Sequence, residues 1–497
     1  MTQSSWLVSI EQASDRVLRT YATPCLGACL AILFLWALLP SPPIPDPDVF
    51  ARLAVGKLIV GNGVVSDQDP FAFTARLPQW IDHEWLSGLI FYGAWCLDGE
   101  RALYLVQILA LVATVALLMA SQRLLVRSPV ANLALFVLAV VPCVYLWTTT
   151  VRSQIFTYIF TAYLFLALVR YAVHKEGKLL LAFPILMLIW ANAHGGFVVG
   201  LGLLGISSCI FLARGRLLPI AVLGVSVLVT AINPYGPVTY WRYIISAVGM
   251  SRRGIDEWLP LNPFSAAGLI PTLLLALVGV GAILKIKHRQ GTYLDLLWGM
   301  IIVTCALFGF THFRLVALLL MALAVFGAPF IEAISQRFAS LSAATLRVCL
   351  WLGAPCLLVA AWSVTGALSN LRALSFDFRS YPVSAVNYLK SVQKGGNVLV
   401  SFNAGSYVIW NLYPRFKVAL DGRYEELYPD STVYSVARAL DPRHPGYLQA
   451  LNEIDPDFII LPSELTASYT PQYPVVFSDG EFAVLRRPQK VLTQEAH

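Results

Sequence analysis

The sequence predicts a polytopic, all-helical membrane bundle of about eleven transmembrane helices over residues 1–369, followed by a soluble α/β domain over residues 370–497. Three observations predict it. The chain is 58% hydrophobic with a mean hydropathy of +0.68, which a soluble domain does not reach. Apolar runs of membrane-spanning length recur up to residue 369. Beyond it the runs shorten to strand length and the charges balance: residues 370–497 hold 12 Lys+Arg and 13 Asp+Glu, against 23 and 15 in the remainder. The basic excess of residues 1–369 lies mostly in short loops. There it reports membrane orientation and gives no reason to expect a nucleic-acid partner.

Residues 1–22 are polar, with Arg16 and Arg19 beside the first apolar run, 23–40, which stops at Pro40. No small-residue cleavage signature is present, so this run is expected to persist as a helix. Residues 41–101 form a long first outer loop. Within it 83–97 is apolar but short, and reads as an in-plane or re-entrant helix. Further spans are expected at 102–121, 131–148, 154–173, 179–193, 196–213, 217–232, 265–285, 293–310, 314–331 and 344–367. In the C-terminal region, strands are expected at 397–402, 416–420, 458–461, 474–477 and 482–486, with helices at 382–393, 404–412, 431–439 and 446–454. The eight cysteines lie in or beside apolar runs and show neither disulfide nor metal spacing. Phosphate-loop, dinucleotide, HExxH and GxSxG patterns are all missing from the sequence.

Charge orients the bundle. With the N-terminus in the cytoplasm, alternate loops carry Arg123 and Arg127, Lys175 and Lys178, Arg214 and Arg216, then Lys285, Lys287 and Arg289, then Arg337 and Arg347. This obeys the positive-inside rule and puts the C-terminal domain outside.

The same orientation gathers polar motifs on the outer face. The stretch from Pro45 to Leu86 is the densest, with Asp46, Asp48, Asp67, Asp69, Asp82, His83 and Glu84 beside Arg52, Lys57 and Arg76. Apolar residues at helical spacing (Val49, Leu53, Val55, Leu58, Ile59) suggest helices within this loop. Five more motifs flank helix ends on that face: Arg152-Ser-Gln154, Asn192-Ala-His194, Asn233-Pro-Tyr-Gly236, Asp256-Glu-Trp258 and His312-Phe-Arg314. Each alone reads as a cap, a turn or a snorkelling side chain. Their convergence on one face reads as a site. Asp421-Gly-Arg423 follows a strand and reads as a turn or a second contributor.

The order of these motifs resembles the GT-C superfamily of membrane glycosyltransferases, in particular bacterial GT-C-like proteins with an Asp-x-Asp first outer loop. The resemblance is carried by Asp46-Pro-Asp48, Asp69-Pro-Phe71, His83-Glu-Trp-Leu86, Arg152-Ser-Gln154, Trp190-Ala-Asn-Ala-His-Gly-Gly196, Asn233-Pro-Tyr-Gly236 and Asp421-Gly-Arg423. Phe50-Ala51-Arg52 stands where that group carries Trp-Trp-His. The resemblance implies a multi-pass protein of the bacterial inner membrane. It implies a polyprenyl-phosphate sugar donor and a glycan, lipid or protein acceptor outside the cytoplasm.

That chemistry needs a carboxylate for the acceptor proton and cations for the phosphate. Asp48 is the first candidate for the base and Asp46 the second, with Asp69 and Glu84 as orienting or metal-binding acids. Arg52, Arg152 and Arg314 are candidate phosphate clamps, because a guanidinium fork matches phosphate oxygens. His83, Asn192, His194 and His312 are candidate sugar or phosphate ligands. A divalent ion, magnesium or manganese, could bind through Asp46, Asp48 and Glu84. Asp48, Arg152, His194 and Arg314 are expected to line one outward-facing cavity. Two other classes stay open: a non-catalytic scaffold of an envelope-glycan assembly complex, which the Arg52 departure favours, and a lipid-linked sugar transporter or flippase. Clustered acids and arginines could also be structural ion pairs.

Overall fold

The computed structural model describes residues 45–126, 135–136, 139–140, 151–249, 256–337 and 376–488. The runs expected at 23–40 and 344–367, and nearly all of 131–148, lie outside the described residues.

The first described helix, α1 (Pro47–Asn62), opens the outer loop. Asp46 caps it by accepting the Asp48 N–H at 3.0 Å, and Pro47 supplies a first-turn residue with no N–H to satisfy. Gly63 closes it at φ +71, a left-handed cap that favours glycine. α1 packs closely on α2 (Trp85–Leu125). A side chain at Gly56 would bring its Cβ to 2.1 Å from the Gly88 carbonyl oxygen. α2 is interrupted at Asp98-Gly99, between the short run at 83–97 and the span expected at 102–121.

The bundle continues through α3 (Gln154–His174), α4 (Lys178–Ala193), α5 (Phe197–Leu212), α6 (Leu218–Val229), α7 (Pro237–Gly249), α8 (Ala266–Lys287), α9 (Tyr293–Thr311), α10 (Val316–Phe326) and α11 (Ala328–Arg337). Among the described residues, α2, α3, α8 and α9 are long and apolar enough to cross a membrane. The expected run 314–331 is bent by 50° between α10 and α11, and the pair counts as at most one more. Among the described residues the count is therefore four or five, with three of the eleven expected runs lying wholly or mostly outside them. α4, α5 and α6 are apolar but have 16, 16 and 12 residues. At about 1.5 Å per residue they fall short of a hydrocarbon core of roughly 30 Å.

α10 is buried on every side, as an all-apolar helix at the centre of a bundle must be. On α8, Leu269, Leu273, Leu277 and Val280 stay exposed at helical spacing, a stripe suited to lipid.

The C-terminal region is a five-stranded sheet, β1 (Gly396–Leu399), β2 (Phe416–Val418), β3 (Phe458–Pro462), β4 (Val475–Ser478) and β5 (Phe482–Arg486), in the order β2-β1-β3-β5-β4. β1 runs parallel to β2 and β3, while β5 pairs antiparallel with β3 and β4. Helices α12 (Val383–Ser391), α13 (Phe402–Leu412), α14 (Tyr424–Leu427), α15 (Asp430–Ala439) and α16 (Tyr447–Ile454) accompany it.

The outer loop does not stand apart from this domain. Phe73 N–H donates to the Val418 carbonyl at 3.1 Å and Val418 N–H to Phe71 at 3.0 Å, so the loop extends the sheet beyond β2. Phe50, Phe71 and Trp80 share one hydrophobic core with Val398, Val418 and Ile459, separate from the core of the bundle. The Phe50 ring packs edge-on against Tyr381 and Tyr407, with centroids 5.3 and 5.0 Å away. The outer loop and the C-terminal sheet thus share one packed core, because apolar faces pair by shape and not by position in the chain.

Candidate active site

The site begins at the amino end of α1. Asp46 is buried, and its second oxygen takes the Nε–H of Arg152, which sits just before α3. Asp48, half a turn on, keeps some exposed surface, and among the described residues its carboxylate makes no hydrogen bond. It lies against the C-terminal domain, so closely that a Cβ on Gly422 would come 2.9 Å from Asp48 Oδ1. Burial pushes the Asp48 carboxyl up and Asp46 adds to it. Arg152 and Arg314 offset only part of this, leaving a value of about 7. A carboxylate that titrates near neutrality suits general-base work.

Arg152 is held from two sides. Its Nη1 donates to both oxygens of Glu257 at 2.6 and 2.8 Å, opposite Asp46. Glu257 also lies 3.7 Å from Arg314, whose guanidinium sits over the Trp258 ring at 5.6 Å. Trp258 in turn meets His312 edge-on at 5.5 Å.

A second charged group adjoins the first. Glu84 accepts the Ser153 hydroxyl at 2.6 Å, and its other oxygen lies 3.6 Å from Nε2 of both His83 and His194. The Gly196 N–H donates to His194 Nδ1 at 2.9 Å, so the proton of the neutral ring belongs on Nε2, facing Glu84. Burial pushes His194 down to about 4, more than Glu84 can counter. Burial likewise opposes the Glu84 charge, but His194, Arg52 and His83 outweigh it and hold the carboxyl at about 2. With His194 uncharged at neutral pH, Arg52 and His83 carry that effect. His83 behaves oppositely to His194: burial disfavours its charge, but Glu426, 3.1 Å from Nδ1, and then Glu84 raise it to about 9.

Beside these groups opens a cavity of about 750 Å³. His83, Glu84, His194, His312 and Arg314 form its polar end, and Val199, Leu203, Ile206, Phe308 and Leu318 its apolar wall. The expected four-residue lining is corrected by half. His194 and Arg314 line the cavity, whereas Asp48 and Arg152 belong to the charged cluster behind it.

Three other candidates have different surroundings. Arg52 is buried among Asp82, Glu84 and Glu426, pairing with Asp82 and lying 3.7 and 3.4 Å from the other two. Its charge is already answered by carboxylates, so it is not a free phosphate clamp. Asp69 is sealed: its Oδ1 is 2.8 Å from Arg423 Nη1, both side chains are fully buried, and it also accepts the Phe71 and Ala72 N–H groups. Asn192 receives Trp85 Nε1 at 2.9 Å and donates to the Leu188 and Ile232 carbonyls, a packing role between helices.

Among the described residues no three His, Cys, Asp or Glu side chains are grouped to hold a metal ion. Asp46 is engaged by Arg152, and Glu84 by Ser153 and Arg52, so these acids face cations and hydroxyls here and are not gathered around one point.

Glu426, Glu257, Asp82 and Tyr243 join the site without having been singled out. Asp82 and Glu257 lie in stretches read as part of the site without a role of their own, and Glu426 lies just beyond Asp421-Gly-Arg423; a carboxylate on a separate element carries no sequence signal of what it will face.

No protein-family model and no curated protein sequence matches the chain. Solved structures do match in fold. One is the oligosaccharyltransferase AglB of Archaeoglobus fulgidus with an inhibitory peptide and a dolichol-phosphate, at TM-score 0.58 and 11% identity, over 96% of this chain and 75% of that one. The same enzyme tethered to an acceptor peptide aligns at TM-score 0.58 and 11% identity, over 95% and 74%. ArnT of Cupriavidus metallidurans bound to undecaprenyl phosphate aligns at TM-score 0.52 and 12% identity, over 94% and 98%. The chain shares the fold of these solved structures, a GT-C-like fold.

Proposed function

We propose that the chain is a GT-C-type glycosyltransferase that moves a sugar from a polyprenyl-phosphate donor to an acceptor outside the cytoplasm. One observation carries this reading: a cavity with an apolar wall and a polar end of histidines and Arg314, near the Asp48 carboxylate, which makes no hydrogen bond among the described residues. Such a cavity suits a lipid phosphate, with the prenyl chain along Val199, Leu203 and Leu318 and the phosphate toward Arg314, His312 and His83. The structures it resembles in fold include one with dolichol-phosphate and one with undecaprenyl phosphate.

In this reading the acceptor hydroxyl or amine gives its proton to Asp48 as it attacks the anomeric carbon. The bond from that carbon to the donor phosphate breaks, and its electron pair leaves with the phosphate. Arg314 and protonated His83 meet the growing negative charge. Arg152, held by Asp46 and Glu257, orients the acidic cluster. The acceptor is a glycan, a lipid or a protein, and the protein sits in the bacterial inner membrane with its N-terminus inside and residues 376–488 outside. Reporter fusions after residue 125 and after residue 380 should read cytoplasmic and external respectively; the opposite pair would overturn this placement.

The direct test uses purified full-length protein in nanodiscs with radiolabelled polyprenyl-phosphate sugars. Wild-type protein should release the sugar or transfer it, and Asp48→Asn should do neither. A protein that binds undecaprenyl phosphate nowhere, or an Asp48→Asn variant with full turnover, would overturn the assignment; the first result would favour a scaffold.

A further inference from the structure

Glu426 belongs to the C-terminal domain, yet it is buried at the charged end of the membrane cavity. It sits on α14, one turn beyond Asp421-Gly-Arg423. That turn is held rigidly. Arg423 pairs with Asp69 and Asp421, and its guanidinium lies 4.9 Å from the Phe71 ring and 4.9 Å from the Trp80 ring. Glu426 N–H donates to the Arg423 carbonyl at 3.0 Å. The carboxylate then receives Trp80 Nε1 at 3.3 Å, faces Arg52 Nη2 at 3.4 Å from both oxygens, and lies 3.1 Å from His83 Nδ1.

His83 is the one of these partners that lines the cavity. The groups that face it are Glu426 from α14, Glu84 beside it in the chain, Arg52 from α1, Tyr243 from α7 at 3.1 Å and His194 at the end of α4. Gly195 lets it approach, since a Cβ there would stand 3.2 Å from the His83 ring.

We propose that Glu426 is a positioning residue for His83: by accepting Nδ1–H, beside the Tyr243 hydroxyl, it fixes the ring and keeps it an imidazolium whose Nε2–H, 3.6 Å from Glu84, is shared between that carboxylate and a donor-lipid phosphate in the cavity. The inference rests on the lipid-phosphate reading of the cavity. Without Glu426, burial and Arg52 both favour the neutral ring, as burial does at His194. The outer domain is then part of the membrane site, delivering the carboxylate that sets the charge of a cavity residue.

The experiment uses the full chain in nanodiscs, with isotope-labelled histidine followed by NMR and undecaprenyl phosphate binding measured from about pH 6 to about pH 9. In wild type, His83 should stay charged past about pH 8. In Glu426→Gln it should lose its proton near or below neutrality, and affinity for undecaprenyl phosphate should drop about tenfold at about pH 8 while approaching wild type at about pH 6. Glu426→Asp should restore part of the shift. His83→Gln should cost about as much as Glu426→Gln at high pH, and the double variant little more. An unchanged His83 titration in Glu426→Gln, or an affinity loss equal at every pH, would overturn the inference and leave the lipid-phosphate reading standing. A wild-type protein that ignores undecaprenyl phosphate would overturn that reading and the inference with it. If Glu426→Gln does not fold, the pH dependence of His83→Gln against wild type decides the matter, since loss of an imidazolium must matter less above about pH 9 than below it.

Discussion

Two buried charge clusters, both made from loop acids and arginines, behave in opposite ways. Around Arg423 the charges are paired: Asp69 and Asp421 bind the guanidinium, Tyr428 donates to Asp421 at 2.9 Å, and the Phe71 and Trp80 rings pack against it at 4.9 Å. Around Asp48 the charges are unbalanced, the carboxylate has no hydrogen bond among the described residues, and a cavity opens beside its neighbours. Burying a charge is costly unless it is paired and hydrogen-bonded. The Arg423 cluster meets that condition and joins loop to domain. The Asp48 cluster does not, and an unmet condition at a cavity is what a reactive group needs.

Each side of this comparison can be broken separately. The largest effect is expected at Asp48. Asp48→Asn should lower sugar transfer by roughly 10²–10⁴-fold, the usual contribution of a general base, with thermal stability nearly unchanged. Turnover of a radiolabelled donor, read beside a melting curve, checks both halves. A protein that unfolds instead would place Asp48 with the structural pairs.

Next is the sealed cluster. Arg423→Ala leaves Asp421 without a cation and Asp69 with only the exposed Arg76 at 3.6 Å, and should destabilise the protein by about 3–5 kcal/mol. Chemical or thermal unfolding in detergent measures it, and a mild effect there would erase the distinction between the clusters.

A smaller loss is expected at the cavity. Arg314→Ala should weaken binding of undecaprenyl phosphate by about 1.5–3 kcal/mol, the range for a hydrogen bond to a charged group, while leaving the fold intact. Direct binding titration checks it. Equal affinity in both proteins would remove Arg314 from the phosphate end.

The smallest effect is in pH. With its carboxyl raised to about 7, Asp48 is protonated below neutrality and cannot act as base, so transfer should fall roughly tenfold per pH unit below about 7. Stability should move the other way. A carboxyl raised in the folded state binds its proton more tightly there than when unfolded. Its contribution to stability therefore rises as pH falls from about 7 toward the ordinary value of 3.8. Activity and melting curves across that window should cross, and Asp48→Asn should flatten both.

Much was legible before any coordinates. The apolar runs at 154–173, 179–193 and 293–310 are helices within a residue or two, and the five strand-length segments after residue 396 are five strands. Hydrophobic period and run length determine such elements locally, because each must bury a face or cross an apolar layer. The crowding of charge on Pro45–Leu86 was legible too, and of the four residues expected to line one cavity His194 and Arg314 do so.

Partner identity was not. Asp48 and Asp69 are the same residue type in the same acidic loop, yet one is sealed by Arg423 from 354 residues away and the other is left open. Arg52 looks like a phosphate clamp until Asp82, Glu84 and Glu426 surround it. His83 and His194 are chemically identical and are driven to about 9 and about 4, because Glu426 reaches one ring and burial prevails at the other. Composition and periodicity act along the chain and determined the bundle, the sheet and the charged face. Ionisation, pairing and access depend on what lies within a few ångströms in space, and the packing of the outer loop onto the C-terminal sheet decided them.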